Sequence, residues 1–464
     1  MGLTIEMVPK SDGLTALFVI HQFEVKSLES SAGYMEVARP MINSGYLKDY
    51  KIIAYGSRNQ QPEQIVDHKI AQLKNTWGTE PVVIYGAGAH TRLFLNRFKE
   101  LNLVALSDRD DGLWGSDIAG LPVIPPSQIP ENATKVLISS RAYEASIIKE
   151  LNKLYQGSVE IAGLYDGLAL QKGISLANEI DSTLMDFVPD LLVYTPTHTT
   201  ECLDSSYFTG LKSRFPSLKI VNIWWDYDEQ AEHSSYLDYE RDCLLYSDFI
   251  VENSNATRLK KMYQHQDPYQ RHTNVEKVHF HPTVFDTTLF YRDQNEAKTV
   301  DVAIWGSSVG ERQKWISFLA ENVPGFRQFG GVYGADQPLC AKDYAAWYRK
   351  TKIAVNTQTY PFRSQCKGKV REALCSGTFL LEEDNPQTRA FVPEGKGLVF
   401  FKDQADLLAK IRYYLEHEDE REVIAAAGYE WMKKEHNERS WTARILQETG
   451  LIDKLSMPSS SLAG

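Results

Sequence analysis

The sequence predicts an α/β protein with two doubly wound parallel sheets and a third, smaller α/β unit set into the first of them. Three observations carry this. Short apolar runs alternate with a Gly- or Asp-containing turn and an amphipathic helical pattern, the signature of parallel strands joined by crossover helices. The rhythm breaks near residue 79, passes through a self-contained unit, and resumes at 189. The chain has 464 residues, 43% hydrophobic and 24% charged, which suits about three folded domains and excludes a disordered chain, a coiled coil or a collagen-like rod.

Taken in order, residues 14–20 (LTALFVI) form the first strand and the loop begins at His21. A helix around 32–43 and a strand at 50–54 follow, and 60–78 reads as polar apart from a weak helical pattern over 65–73. The inserted unit opens with a strand at 81–85, turns at Gly86-Ala87-Gly88 into a helix at 91–101, and continues through a strand at 103–106 that ends in Asp108. A proline-stiffened connector over 120–126, a strand at 136–139, a helix at 142–155 and a strand at 159–163 complete it. Strands at 189–194, 219–224, 249–252 and 278–281 then finish the first sheet. Those at 301–305, 326–333, 353–356, 378–381 and 398–401 make the second, and 403–446 is helical. The expected division is 1–78 and 169–292 for the N-terminal domain, 79–168 for the insertion, 293–450 for the C-terminal domain and 451–464 for a tail.

Charge and cysteine usage narrow the function classes. Lys plus Arg is 50 against 61 Asp plus Glu, a net charge of -11, so the basic excess of a nucleic-acid binder is missing. Five scattered cysteines (Cys202, Cys243, Cys340, Cys366, Cys375) form neither a disulfide framework nor a CxxC zinc site. No run of about eighteen apolar residues could span a membrane. Glu6 and Asp12 do not suit a signal peptide, and the expectation is a cytoplasmic protein. Two DxD triplets, Asp108-Arg109-Asp110 and Asp226-Tyr227-Asp228, are too loose a pattern to read as metal sites, so no metal is expected.

The most informative segment is 351–401. A strand ends at Asn356, a polar basic loop follows, and a helix starts near Val370 with Glu372 close to its N-terminus. Free N–H groups at a helix N-terminus suit phosphate. Arg363, Lys367, Lys369 and Arg371 crowd the same turn, and a carboxylate there can accept from two adjacent ribose hydroxyls. A solvated basic loop, with Glu372 merely complementing the helix dipole, fits the same residues.

VREALCSGTFLLEEDNP, FVPEGKGLVFF, the upstream VDVAIWGSSVGERQKWISFL and the closing LLAKIRYYLEHEDEREVIAAAGYEWMKKEHNERSWTARI resemble the C-terminal domain of CgeB-like (spore-maturation-protein type) glycosyltransferases. The resemblance implies the GT-B architecture, two Rossmann-like domains facing a cleft, with a nucleoside diphosphate sugar as donor substrate and no required cofactor. On this resemblance Glu372 matches the acid that holds the donor ribose, while the second acid many such enzymes carry eight residues earlier is Ser364 here. Gly306, Ser307 and Arg312 would face the donor phosphates together with Lys367, Lys369 and Arg371, and Tyr333 would border the nucleobase.

In the insertion, Gly86, Gly88 and Asp108 make half a dinucleotide fingerprint, with Thr91 where the third glycine belongs. The unit resembles the small Rossmann domains of bacterial nucleotide-sugar acetyltransferases and polysaccharide epimerases, some of which bind nucleotide sugars. A general base should come from the N-terminal half, and His21, His198 and Asp226 all fall at strand carboxyl ends. Trp224 and Trp225 suit either a sugar-stacking wall or domain core. The resulting expectation is a glycosyltransferase with an unknown acceptor. A catalytically inactive nucleotide-sugar sensor, and a nicotinamide-dependent sugar-modifying enzyme built on the Gly86 unit, are the alternatives.

Overall fold

A computed structural model describes residues 13–21, 31–55, 62–140, 144–165, 168–196, 203, 205–225, 243–264, 274–306, 308, 310–330, 339–360 and 364–452. Strands β1 (Leu14–His21) and β2 (Leu47–Tyr55) open the first sheet. The inserted sheet comprises β3 (Val82–Tyr85), β4 (Leu103–Ser107), β5 (Asp117–Ile118), β6 (Leu121–Ile124), β7 (Lys135–Ile138) and β8 (Glu160–Gly163). The first sheet resumes with β9 (Leu191–Thr195), β10 (Lys219–Trp224), β11 (Phe249–Glu252) and β12 (Val278–Phe280). The last sheet is β13 (Val300–Trp305), β14 (Arg327–Phe329), β15 (Thr351–Asn356), β16 (Phe379–Glu383) and β17 (Leu398–Phe401).

The first sheet runs β12-β11-β10-β9-β1-β2 and the last β14-β13-β15-β16-β17, every pair parallel. The inserted sheet, β5-β6-β4-β3-β7-β8, departs from parallel only at the β5–β6 hairpin, whose second strand falls in the stretch read as a connector. The α/β class with two doubly wound sheets is therefore what the chain adopts, and the inserted unit's sheet, expected to be smaller, has as many strands as the first. Central strands are covered on both faces, which is why they read as continuous apolar runs; Ala16 to Ile20 of β1 are all fully buried. In the first sheet the winding reverses between β1 and β9, and in the last between β13 and β15. Ligands of such sheets lie at these points, beyond the strands' carboxyl ends.

Two helices pack across the expected domain boundaries, and a third, Leu168–Asp186, keeps to them. The helix Pro62–Trp77 sends Ile65, Val66, Ile70, Leu73 and Trp77 into the core of the inserted unit, so that unit begins at 62 rather than 79. Leu168–Asp186 instead places Leu176, Ile180 and Leu184 against Leu17 and Val19 of the first sheet. The last described helix, Glu438–Glu448, leaves the C-terminal domain altogether. Its Trp441, Ile445 and Leu446 pack with Ala16, Phe18 and Ile20 of β1.

Trp441 stacks on His281 (centroids 5.7 Å apart, planes at 13°), and its indole N–H donates to the His281 carbonyl at 3.3 Å. Beside it, burial holds the imidazole of His436 down to about 4, and that of His281 also well below its ordinary value. Among the described residues no helix is long and apolar enough to cross a membrane.

Candidate functional site

The carboxyl ends of β13 and β15 meet the helix Gly368–Cys375, and the site is built there. Gly306, just past β13, has φ +109, and a methyl group on it would lie 2.7 Å from Arg312 Nη1, so the guanidinium occupies the space a side chain would need. Arg312 is buried and Nη2 donates to the Thr357 carbonyl at 3.2 Å. Burial lowers its pKa, partly offset by Tyr344, Tyr348, Glu382 and Glu383. Lys367 Nζ closes the same loop, donating to Thr357 O at 3.1 Å and Thr359 Oγ1 at 2.5 Å.

Behind this loop, Glu382 at the end of β16 accepts from Asn356 Nδ2 (2.8 Å), Asn385 Nδ2 (3.1 Å) and Thr388 Oγ1 (3.0 Å), and burial pushes its carboxyl up to about 7.

Several buried polar atoms at this point have no partner among the described residues: Arg312 Nε, Thr357 Oγ1, Ser364 Oγ and Gln365 Nε2. Buried donors of this kind are normally satisfied, and a concentration of exceptions marks strain or a place for a ligand. The helix that follows has Lys367 at its N-cap with no side-chain cap, which leaves first-turn N–H groups for an anion.

Glu372 lies one turn into this helix. It is buried, and the Tyr344 and Tyr348 hydroxyls both donate to Oε2, at 2.8 and 2.7 Å. Tyr348 is in turn stacked on Trp305 at 3.9 Å, so β13 fixes the ring that fixes the acid. Lys369 Nζ, at 3.4 Å, is the hydrogen-bond donor to Oε1 among the described residues. Arg371 reaches across to the other domain. It is fully buried between the domains, where Nη2 donates to Glu36 Oε2 at 2.9 Å and Thr283 Oγ1 at 3.2 Å. The sequence reading missed Glu36, which looks like any polar position of an amphipathic helix.

The domains touch around this site. Asn255 Nδ2 donates to Ser364 O at 3.0 Å, Cys366 N to Ser254 O at 2.8 Å, and Gln387 Nε2 to Thr257 Oγ1 at 2.8 Å. On the N-terminal side, His21 ends β1 at the reversal point, its N–H donating to Thr195 Oγ1 at 3.0 Å and its ring edge-on to Tyr55. Asp226, His198, Ser307, Tyr333 and Arg363 lie outside the described residues. Trp224 is core rather than a sugar-stacking wall: it is 1% exposed, with the Arg258 guanidinium 4.5 Å from its ring centre.

In the insertion, Gly86 and Gly88 form the expected turn, but Asp108 closes on that turn. Its Oδ2 accepts from Ala87 N at 2.7 Å and its Oδ1 from Asp110 N at 3.0 Å, where a ribose-binding acid would keep an oxygen open. Among the described residues no three His, Cys, Asp or Glu side chains group as metal ligands would.

Residues 289–447, about a third of the chain, match a family described as glycosyl transferase-like. No curated protein sequence matches the chain. Similar solved structures include HepE from Anabaena in complex with UDP-glucose, at 12% identity and TM-score 0.44, covering 80% of this chain and 100% of that one. A sucrose-phosphate synthase from Thermosynechococcus elongatus (10%, TM-score 0.43, 79% and 98%) and a UDP-forming α,α-trehalose-phosphate synthase from Burkholderia vietnamiensis (10%, TM-score 0.44, 80% and 97%) are others. Likeness at that level says nothing of this chain's substrates.

Proposed function

We propose that this chain is a GT-B glycosyltransferase that holds a nucleoside diphosphate sugar on its C-terminal domain and passes the sugar to an acceptor on its N-terminal one. The observation that carries the reading is the set of unpartnered buried polar groups, Arg312 Nε, Thr357 Oγ1, Ser364 Oγ and Gln365 Nε2, beside an uncapped helix N-terminus. The matched family segment covers all of them.

The diphosphate sits at Gly306, Ser307 and the N-terminus of Gly368–Cys375, with Lys367 and Lys369 beside it and Tyr333 at the base. Glu372 presents Oε1 to a ribose hydroxyl while the two tyrosines hold Oε2. As the bond from the anomeric carbon to phosphate breaks, its electron pair goes to the leaving diphosphate. Arg312, Lys367 and the helix N-terminus offset the growing charge, so the reading requires no metal. The acceptor hydroxyl gives its proton to a base at the carboxyl ends of the first sheet, where His21, His198 and Asp226 are the candidates. The thiols of Cys340, Cys366 and Cys375 fit a reducing cytoplasm.

Calorimetric titration with UDP, GDP, CDP and dTDP tests the reading. Glu372→Gln should weaken binding of the preferred diphosphate by about 1.5–3 kcal/mol, the range for hydrogen bonds to a charged group. Unchanged affinity in the variant, or a wild-type protein that binds none of the four, would overturn it.

A further inference from the structure

The acid that many related sites carry at the position of Ser364 is absent here, yet a second carboxylate does reach the mouth of the donor helix, from the other domain. Glu36 belongs to the helix that follows β1. That helix is pressed onto the sheet at its start, where a methyl group on Gly33 would lie 2.2 Å from Ile20 Cγ2. The next turn, Tyr34–Ala38, is π-helical. The wider turn changes the angle at which its side chains leave the helix, and such turns concentrate at functional sites.

Every hydrogen bond of Glu36 falls on one oxygen. Oε2 accepts from Arg371 Nη2 at 2.9 Å and from Thr283 Oγ1 at 2.7 Å. No hydrogen bond from the described residues reaches Oε1, which points to the first residue of the donor helix. A methyl group on Gly368 would stand 3.3 Å from the Phe285 ring, 3.5 Å from Glu372 Oε1 and 3.7 Å from Glu36 Oε1, so both carboxylates and one aromatic edge border the same glycine. The Glu36 side chain is 11% exposed, so it is nearly but not fully closed off from solvent. Arg371 and Thr283 anchor Oε2, and Oε1 is left on the Gly368 side.

We propose that Glu36 is the residue that recognises the sugar of the donor, its Oε1 accepting a hydrogen bond from a hydroxyl of the transferred hexose. The inference rests on the glycosyltransferase reading above and adds a donor contact from the N-terminal domain. Electrostatics fit the assignment. Glu372 is offset by Lys369 and Glu36 by Arg371, so each carboxylate has a cation beside it. Burial raises the Glu36 pKa, Arg371 and Thr283 pull it back, and Glu372 raises it further. A hydroxyl donating to Oε1 supplies what this half-satisfied carboxylate lacks.

The test compares full-length wild type with Glu36→Asp and Glu36→Gln. Aspartate keeps the charge that Arg371 needs, and so the fold, while drawing the oxygen back from Gly368. Glutamine keeps the length. Each protein is titrated calorimetrically with the best-binding nucleoside diphosphate of the four above, then with its glucose, galactose, mannose and N-acetylglucosamine esters. The expected result is diphosphate affinity within twofold of wild type in Glu36→Asp, with at least a tenfold loss for the ester that wild type prefers. Equal losses for diphosphate and ester would make Glu36 a support for the helix and overturn the proposal, as would no loss at all. If wild type binds no diphosphate, the glycosyltransferase reading fails first and takes this one with it.

Discussion

Replacing Trp441 by alanine should loosen the first sheet even though the residue lies more than four hundred positions downstream of β1. Trp441 is fully buried, packs with Ala16, Phe18 and Ile20, stacks on His281 and donates its indole N–H to a carbonyl. Truncating a buried Trp costs about 3–5 kcal/mol, and the hydrogen bond adds about 1 kcal/mol. A chain of several domains has no single unfolding free energy, so the measurement should be local. Hydrogen exchange followed by mass spectrometry reports each segment separately. A loss of about 3 kcal/mol is a little over a hundredfold in an opening equilibrium. Amides of β1 and β9 should exchange faster by at least that factor, and those of β15 and β16 should change little. Acceleration confined to 379–435 would refute the assignment of the last helix to the first sheet.

Three further outcomes are expected. Arg312→Ala should lower kcat with a nucleotide sugar more than it raises KM, because the charge it faces grows as the bond breaks; a higher KM at unchanged kcat would make Arg312 a plain binding residue. The His436 imidazole titrates near 4 in the fold and near 6.5 unfolded, so the unfolded chain binds the extra proton between those values and stability falls as pH drops through that window, by about 2 kcal/mol at pH 5. Glu382, raised to about 7, runs the opposite way between about 4.5 and 7, so the effect is read as the pH-dependent gap in urea resistance of 430–446 between wild type and His436→Gln; a gap constant from pH 7 to pH 5 would count against a neutral buried His436. Removing residues 62–165 behind a flexible linker should leave a soluble protein that still binds the diphosphate, whereas a cut starting at Glu80 strands Ile65, Val66, Ile70, Leu73 and Trp77 in water and should aggregate; equal solubility of the two would contradict the packing of Pro62–Trp77.

What the sequence revealed and what it hid follow from how far each signal reaches. Continuous apolar runs such as 14–20 and the run Gly-Lys-Val-Arg-Glu before an apolar strand are local, so the sheets and the donor helix could be read directly. Helix Pro62–Trp77 gives only a weak signal because its exposed face is strongly polar. The spacing of Ile70, Leu73 and Trp77 was nevertheless a legible helical stripe. Amphipathicity says that a helix face is buried but never against what, which is why Glu438–Glu448 was assigned to the sheet nearest in sequence. The same limit hid Glu36. Its partner is 335 positions away, and its angle depends on a π-helical turn that no residue pattern announces. Glu372 was found by position, but its clamp by Tyr344 and Tyr348 depends on the packing of two helices.

The inserted unit also sets the order in which the protein can mature as it is made. Residues 62–165 form a contiguous sheet with its own core, complete as soon as they leave the ribosome. The first sheet has only β1 and β2 by then. It must wait for β9 to β12, and its β1 side stays open until Trp441, Ile445 and Leu446 arrive at the far end of the chain. The usual N-terminal-first sequence of domain folding is thus inverted. The most apolar strand of the chain's start, Ala16 to Ile20, is also the one left longest without its final cover, which makes it the segment a chaperone would most need to shield during synthesis.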